Sequence, residues 1–329
     1  MMNGTILLIV LIAIVFDMSN GWNDSANAIA TVVSTRVMSP MQAVLMAASM
    51  NILGAFFSTA VAKTIGRGIV APEAVTGVVV VAALLSGFLW NAAMTWVGMP
   101  VSASHALIGS LMGAAAAYGG LGILEYEGLT KIFLALLFSP IFGILIGYGL
   151  MKGILKLFGN LPKGTINRNF GRLQLFSSAF MAFSHGSNDA QKVMGIITLS
   201  LVSGGYLHSL VVPVWVILVC AIAMGLGTAL GGWRVIKTIG VNMLKLEPVH
   251  GFAAETSATM VILGASHFGL PVSTTHVIST AIMGVGATQR LTAVRWGVVG
   301  KIVLAWIFTL PMTILMAWLI CKGILLFTA

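Results

Sequence analysis

The chain has 329 residues, of which 58% are hydrophobic and only 8% charged, with a formal net charge of +9. A soluble domain carries roughly 25% charged residues, so this composition excludes a water-soluble globular protein and leaves lipid as the solvent for most of the surface. The basic surplus is better explained by orientation in a bilayer than by nucleic acid, and no nucleic-acid partner is expected.

In chain order, apolar stretches fall at 1–16, 41–62, 74–98, 101–121, 130–151, 173–203, 209–231, 251–269, 271–288 and 297–321. A spanning helix needs about 20 apolar residues, and most of these are long enough. Strand alternation is absent, which leaves helices as the spanning structure. The stretches at 101–121 and 271–288 open on Pro100 and Pro271 with polar residues just inside, so broken or re-entrant helices are expected there. The first stretch lacks a basic leader and a small-residue cleavage site, so it is read as a span and not as a signal peptide. Cys220 and Cys321 sit in apolar stretches and read as small core residues.

The sequence repeats itself. Asn20-Gly21-Trp22-Asn23-Asp24 matches His185-Gly186-Ser187-Asn188-Asp189. Lys63-Thr64-Ile65-Gly66 matches Lys237-Thr238-Ile239-Gly240, and Gly98 to His105 matches Gly269 to His276. The three matches keep their order. The chain therefore divides into a first membrane repeat (1–151), a basic, breaker-rich linker (152–172) and a second membrane repeat (173–329). With five crossings per half and the N-terminus outside, the linker and Arg36, Arg234, Lys237, Lys245, Arg290 and Arg295 lie in the cytoplasm. Only Lys63, Arg67, Lys131 and Lys322 then lie outside. An odd number of crossings inverts the second half relative to the first, a plan that secondary transporters use with binding sites near the midplane. The expected fold is an all-α polytopic membrane protein of two inverted-topology repeats with broken or re-entrant helices at the midplane. No phosphate-binding GxxxxGK[ST] loop is present, so any pumping uses an ion gradient.

Two constellations carry chemistry. The first is Asp17, Asn20, Gly21, Asn23, Asp24 and Asn27, with its second copy His185, Gly186, Asn188, Asp189, Gln191 and Lys192. A carboxylate at midplane costs about 2.5–3.5 kcal/mol on insertion scales. A polar helix end at the interface would escape that cost, but the second copy lies inside a long apolar stretch. Gly21 and Gly186 are expected to let the helix break and expose N–H groups to an anion. Asn23 and Asn188 can donate to an oxyanion, while Asp24 and Asp189 can accept from it or hold a cation.

The second constellation is Pro100-Val101-Ser102-Ala103-Ser104-His105, matched by Pro271-Val272-Ser273-Thr274-Thr275-His276. Simple capping explains one hydroxyl per helix start. The run Ser273, Thr274, Thr275 exceeds that need, and with Ser102 and Ser104 it could cage a tetrahedral anion if the two helix starts meet. Glu255, alone in an apolar stretch, is either a coupling carboxylate or a structural partner. His105 and His276 are candidates for the coupling-ion path, and no zinc motif surrounds them. Lys192 stands opposite Asn27, so an ammonium takes the place where Asp24 and Asn27 could hold sodium. No structural metal is expected.

These motifs resemble the inorganic phosphate transporter (PiT) family, in particular its bacterial low-affinity members. The residues that carry the resemblance are Asp17, Asn20, Gly21, Asp24, Ala26 and Asn27, His185 through Lys192, and Pro271 through His276. It implies no enzyme and no cofactor, but a symporter of inorganic phosphate with proton or sodium as co-substrate. It further implies a homodimer in the lipid of the bacterial inner membrane and, in bacterial members, a neutral metal–phosphate complex as cargo. Some bacterial relatives move sulfate, so a sulfate permease is the neighbouring alternative. A passive anion channel is the alternative of another class, and an intramembrane hydrolase lacks a nucleophile paired with a base.

Overall fold

A computed structural model describes residues 4–71 and 74–328. Residues 1–3 of the first apolar stretch, residues 72–73 and the terminal residue 329 lie outside them. Helices run in the order α1 (Gly4–Ser34), α2 (Pro40–Ala55), α3 (Ala60–Gly68), α4 (Gly77–Val97), α5 (Ala103–Gly119), α6 (Tyr126–Phe158), α7 (Lys163–Ser203), α8 (Val214–Leu230), α9 (Trp233–Lys237), α10 (Pro248–His267), α11 (Thr274–Ala287) and α12 (Trp296–Thr328). Most of the described residues of each of the ten apolar stretches fall on these helices. Among the described residues the only β feature is an isolated bridge between Val70 and Leu124.

Four helices, α1, α4, α6 and α12, are each long and apolar enough to cross a membrane. Two more spans result if each bent pair is one crossing: α2 with α3, bent by 71°, and α8 with α9 and the π-turn after it, bent by 64°. The protein is thus a multi-pass membrane protein. Outward faces of α6 and α12 carry Leu137, Phe142, Leu145, Leu304, Phe308 and Leu319, all exposed, as lipid contact requires.

Local chemistry sets the helix ends. Ser39 and Gln42 form a capping box before α2, with Pro40 in its first turn. Gly98 and Gly269 sit at φ +83° and +68° after α4 and α10, a conformation that suits glycine. Pro100 and Pro271 then forbid immediate continuation. Ser102 and Ser273 restart the chain as N-caps of the short helices α5 and α11, each accepting a hydrogen bond at 3.2 Å from the backbone N–H of His105 or His276. The expected interruptions at the two proline motifs are therefore present.

Helix packing is shared between the halves. α5 packs on α12 while α11 packs on α6; α1 packs on α8 while α7 packs on α2. α1 also packs on α4, and α7 on α10. Each half's contacts thus recur in the other, as the duplicated sequence leads one to expect.

One expectation is corrected. Neither α1 nor α7 breaks at Gly21 or Gly186; both helices run through. The glycines instead admit a neighbouring backbone. A Cβ at Gly21 would overlap the Met224 carbonyl oxygen of α8, and one at Gly186 would overlap that of Asn51 in α2. Residues 152–172 span the end of α6 and the start of α7. α6 continues to Phe158 and α7 begins at Lys163, so only a short turn lies between them.

Candidate functional site

The polar residues of α1 and α7 point inward. Asp17, Asn20, Asn23, Asp24, Asn27 and Thr31 are buried on α1, and His185, Asn188, Asp189, Gln191 and Lys192 on α7. Spacings of three and four residues keep most of each set on one helical face.

Each motif helix reaches across to the helix start of the other half. Asn27 Nδ2 donates to Thr275 Oγ1 at 3.0 Å and to Thr274 Oγ1 at 3.3 Å, on the start of α11. Lys192 Nζ donates to Ser104 Oγ at 2.5 Å, on the start of α5. The two starts meet face to face, as expected. Ser104 Oγ donates to Val272 O at 2.9 Å, and its counterpart Thr275 Oγ1 lies 3.1 Å from Val101 O. A second matched pair holds the asparagines: Asn23 Nδ2 to Thr95 Oγ1 at 2.7 Å, and Asn188 Nδ2 to Ser266 Oγ at 2.8 Å. The side-chain oxygens of Asn23, Asn27 and Asn188 remain buried without a hydrogen-bond partner.

The carboxylates converge between these starts. The Thr275 hydroxyl has one proton, and Asp24 Oδ1 at 3.0 Å competes for it with Val101 O at 3.1 Å. Thr274 Oγ1 donates to Asp189 Oδ2 at 3.1 Å, and Lys192 Nζ donates to Asp189 Oδ1 at 2.6 Å and to Val272 O at 3.0 Å. Asp189 is thereby neutralised by a fixed ammonium, whereas Asp24 faces no lysine or arginine in salt-bridge contact among the described residues. His185 completes the cluster, its Nε2 lying 3.8 Å from Asp24 Oδ2 and 3.5 Å from Asp189 Oδ2.

The tautomer of His185 follows from a chain of bonds. Thr228 Oγ1 donates to Met224 O at 2.9 Å, so it accepts from Asn51 Nδ2 at 2.8 Å. Asn51 Oδ1 therefore faces His185 Nδ1 at 3.1 Å and accepts its proton. In the neutral ring Nε2 then turns a lone pair toward two carboxylates and has no hydrogen-bond partner. That arrangement suits a cation in the middle. Ligand atoms of Asp24, His185 and Asp189 all lie within 4.8 Å of one another, and the bond to Asn51 orients the imidazole as an outer shell orients a metal-binding histidine.

Other expected residues lie elsewhere. Ser102 and Ser273 are occupied as N-caps, and Ser102 Oγ also meets His105 Nδ1 at 2.7 Å. The rings of His105 and His276 lie against each other, 4.7 Å between centroids, and His276 stacks on Trp306 at 3.9 Å. Together they line a 420 Å³ cavity with Leu136, Pro140 and Ile307 of α6 and α12, outside the carboxylate cluster. Each imidazole is three residues past its cap, so it points toward the neighbouring long helix. Glu255 also stands apart. It accepts from Thr31 Oγ1 at 2.5 Å, from Gln174 Nε2 at 2.9 Å and from Ser177 Oγ. Thr31 is two turns beyond Asp24 on α1, which puts Glu255 about 10 Å along the helix axis from the centre.

The centre is closed, with Asp24, Asp189, Thr274 and Thr275 each 1% exposed. Cavities lie at both ends of α1. One of 310 Å³ is lined by Thr5, Ile9, Thr76, Val80 and Ser200 and carries no charged side chain. The other, of 490 Å³, is lined by Ser34, Arg36, Lys245 and Arg295. Access to the centre therefore requires helices to move.

Several supporting residues escaped the reading of motifs: Asn51, Asn91, Gln174, and the role of Gln191. Gln191 Oε1 accepts from the backbone N–H groups of Val61 and Ala62 at 2.9 and 3.3 Å, satisfying the start of α3. A lone amide in an apolar helix is the signal that could have found the first three.

Residues 20–317 match the model of the phosphate transporter family. A Bacillus subtilis protein described as a "Probable low-affinity inorganic phosphate transporter" is 44% identical over 93% of this chain and 93% of its own length. A Rhizobium meliloti protein of the same description is 45% identical over 92% and 91%. A solved structure described as "The sodium-dependent phosphate transporter" superposes with a TM-score of 0.91 at 25% identity, covering 98% of this chain and 100% of its own.

Proposed function

The chain belongs to the phosphate transporter family, and from that membership we propose that it is a secondary transporter which carries inorganic phosphate through the membrane by symport with a cation. The observation that carries this reading is the meeting of the two helix starts over Asp24, His185, Asp189 and Lys192. Two N-termini leave first-turn N–H groups without intrahelical partners, and their dipoles favour an anion. The hydroxyls of Ser104, Thr274 and Thr275, the Lys192 ammonium and the amides of Asn23 and Asn188 supply further donors. In the closed arrangement those hydroxyls donate to the carboxylates and to backbone carbonyls. Phosphate would redirect them, which couples binding to the opening and closing of α5 and α11.

The same cluster favours phosphate over sulfate. Lys192, Thr274 and Thr275 take up three of the four carboxylate oxygens. Asp24 Oδ2 remains, facing His185. Phosphate keeps an O–H at neutral pH and can donate to it, whereas sulfate has no proton to give. Coupling follows from charge. Lys192 balances Asp189 permanently, so one mobile cation is required, held at Asp24 with the unpartnered Asn27 oxygen or between Asp24, Asp189 and His185. Sodium or a proton would serve at Asp24 and Asn27; the divalent partner of a metal–phosphate cargo would sit at the three-residue cluster. Glu255 of α10, which meets α1 at Thr31 two turns beyond Asp24, is assigned to the inward part of the cation path.

The two halves are proposed to be inverted, with the basic α6–α7 turn on the cytoplasmic side of a bacterial inner membrane and a second copy completing a homodimer. The test is competition in liposomes. Labelled phosphate uptake should be little reduced by an equal concentration of sulfate, and displacement by sulfate at parity would contradict this account of Asp24.

A further inference from the structure

Buried polar atoms in folded proteins are paired in roughly nine cases of ten. Of thirteen buried side-chain polar atoms without a hydrogen-bond partner among the described residues, six belong to Asp17, Asn20, Asn23 and Asn91. Asp17 contributes both carboxylate oxygens and Asn91 both ends of its amide, and each residue is 0% exposed. A carboxylate buried in this way, in a protein surrounded by hydrocarbon, must be neutralised by something it can hold.

The register of α1 against α4 brings these groups to one level. Gly87 packs against the Phe16 ring, and Asn23 bonds to Thr95. Phe16, Asn20 and Asn23 share a face of α1, and Asn91 lies between Gly87 and Thr95 on α4, so Asn20 and Asn91 stand opposite one another. Asp17 is one turn before Asn20, close to it and to the Cys220 thiol of α8, with Asp189 and Lys192 within electrostatic reach. Asn20 and the Cys220 thiol are near enough to interact with its carboxyl, but neither carboxyl oxygen has a well-formed hydrogen bond.

This level is not duplicated. The residues matching Asp17, Asn20 and Asn91 in the second half are Ala182, His185 and Ile262. The repeated motif therefore does not account for it. Its place on α1 is two turns from Asp24, on the side of the uncharged cavity lined by Thr5, Thr76 and Ser200. The cavity at the other end carries Arg36, Lys245 and Arg295.

We propose that Asp17, with the side-chain oxygens of Asn20 and Asn91, forms a second binding station for a monovalent cation, through which the coupling ion passes on its way to Asp24. The donor set is one carboxylate and neutral amide oxygens, which suits a singly charged hard ion, sodium or the proton. The titratable and charged groups that act on Asp17 from the packed helices are Cys220 on α8 and Asp189 and Lys192 on α7. The proposal rests on the symport reading, and the experiment separates the two.

Full-length protein carrying Asp17→Asn is reconstituted in liposomes. Exchange of labelled phosphate at equal inner and outer concentrations reports the central site. Uptake driven by a sodium gradient at constant pH, and by a pH gradient at constant sodium, reports coupling in two arms. Stimulation in one arm should fall by about tenfold or more, and by more than exchange does, which identifies the cation. Asn91→Ile, the residue of the matching position, should raise the half-saturating concentration of that cation and leave exchange unchanged. Full stimulation in both arms for Asp17→Asn overturns the proposal. So does loss of exchange together with an unaltered cation dependence in Asn91→Ile. Failure of the unmodified protein to respond to either gradient would instead sink the symport reading.

Discussion

Replacing Lys192 by the asparagine of the matching position tests the charge balance of the centre. The ammonium is 2% exposed and donates to Asp189 Oδ1 at 2.6 Å, Ser104 Oγ at 2.5 Å and Val272 O at 3.0 Å. Removing one partner of a buried ion pair typically costs about 3–5 kcal/mol, because the remaining charge is left uncompensated. His185 Nε2 lies 3.5 Å from Asp189 Oδ2 without a hydrogen bond to it, and Nδ1 is engaged by Asn51. A sodium ion held by Asp189 and the amide oxygen introduced at position 192 could supply the missing charge, as one at Asp24 and Asn27 is proposed to do in the first half. At 100 times its dissociation constant such an ion returns about 2.7 kcal/mol, most of the loss. Lys192→Asn should therefore unfold at a lower temperature in sodium-free detergent solution and recover much of the difference on adding sodium, but not potassium. Its phosphate uptake should acquire a sodium dependence absent from or weaker in the unmodified protein. Equal thermal stability with and without sodium would refute the reasoning. So would a sodium requirement in the unmodified protein with a Hill coefficient near two, since Lys192 would then not be standing in for an ion.

Asp24→Asn and Asp189→Asn should each abolish phosphate uptake while the protein still elutes as a folded species in detergent; near-normal uptake in either would return these residues to a structural role. Thr275→Ala removes a hydroxyl whose one proton lies between Asp24 Oδ1 and Val101 O, and loss of a hydrogen bond to a charged partner, about 1.5–3 kcal/mol, should raise the apparent KM for phosphate about ten- to a hundredfold. Gly186→Ala places a methyl on top of the Asn51 backbone oxygen, where no side chain can swing aside. It should cost about 1–3 kcal/mol or more, read as a lowered unfolding temperature, and should disturb the Asn51–His185 bond.

Much of the site was legible because it is duplicated. Asn23 with Asp24 and Asn188 with Asp189 stand out as polar pairs in apolar sequence, and the proline motifs mark two helix starts whose hydroxyls do meet across the halves. The glycines were misread for a physical reason. A glycine in a helix serves either a break or a close approach, and only the partner helix reveals which; here Met224 and Asn51 backbones press against Gly21 and Gly186. His105 and His276 follow the caps so closely that sequence alone joins them to the hydroxyl clusters, yet helical rotation turns them toward Trp306. Glu255 could not be placed because its partners, Thr31 and Gln174, come from two other helices. Asn51 and Asn91 are single amides without a repeat to mark them, although one fixes the tautomer of His185 and the other faces Asn20.

The central claim is that phosphate movement is tied to a cation gradient. Liposomes containing the purified protein, loaded with equal labelled phosphate inside and out, should accumulate it above equilibrium when a sodium or proton gradient is imposed, and the accumulation should vanish when an ionophore collapses that gradient. Simple equilibration of phosphate, with a steady electrical current and no response to either gradient, would contradict it and make the protein an anion channel.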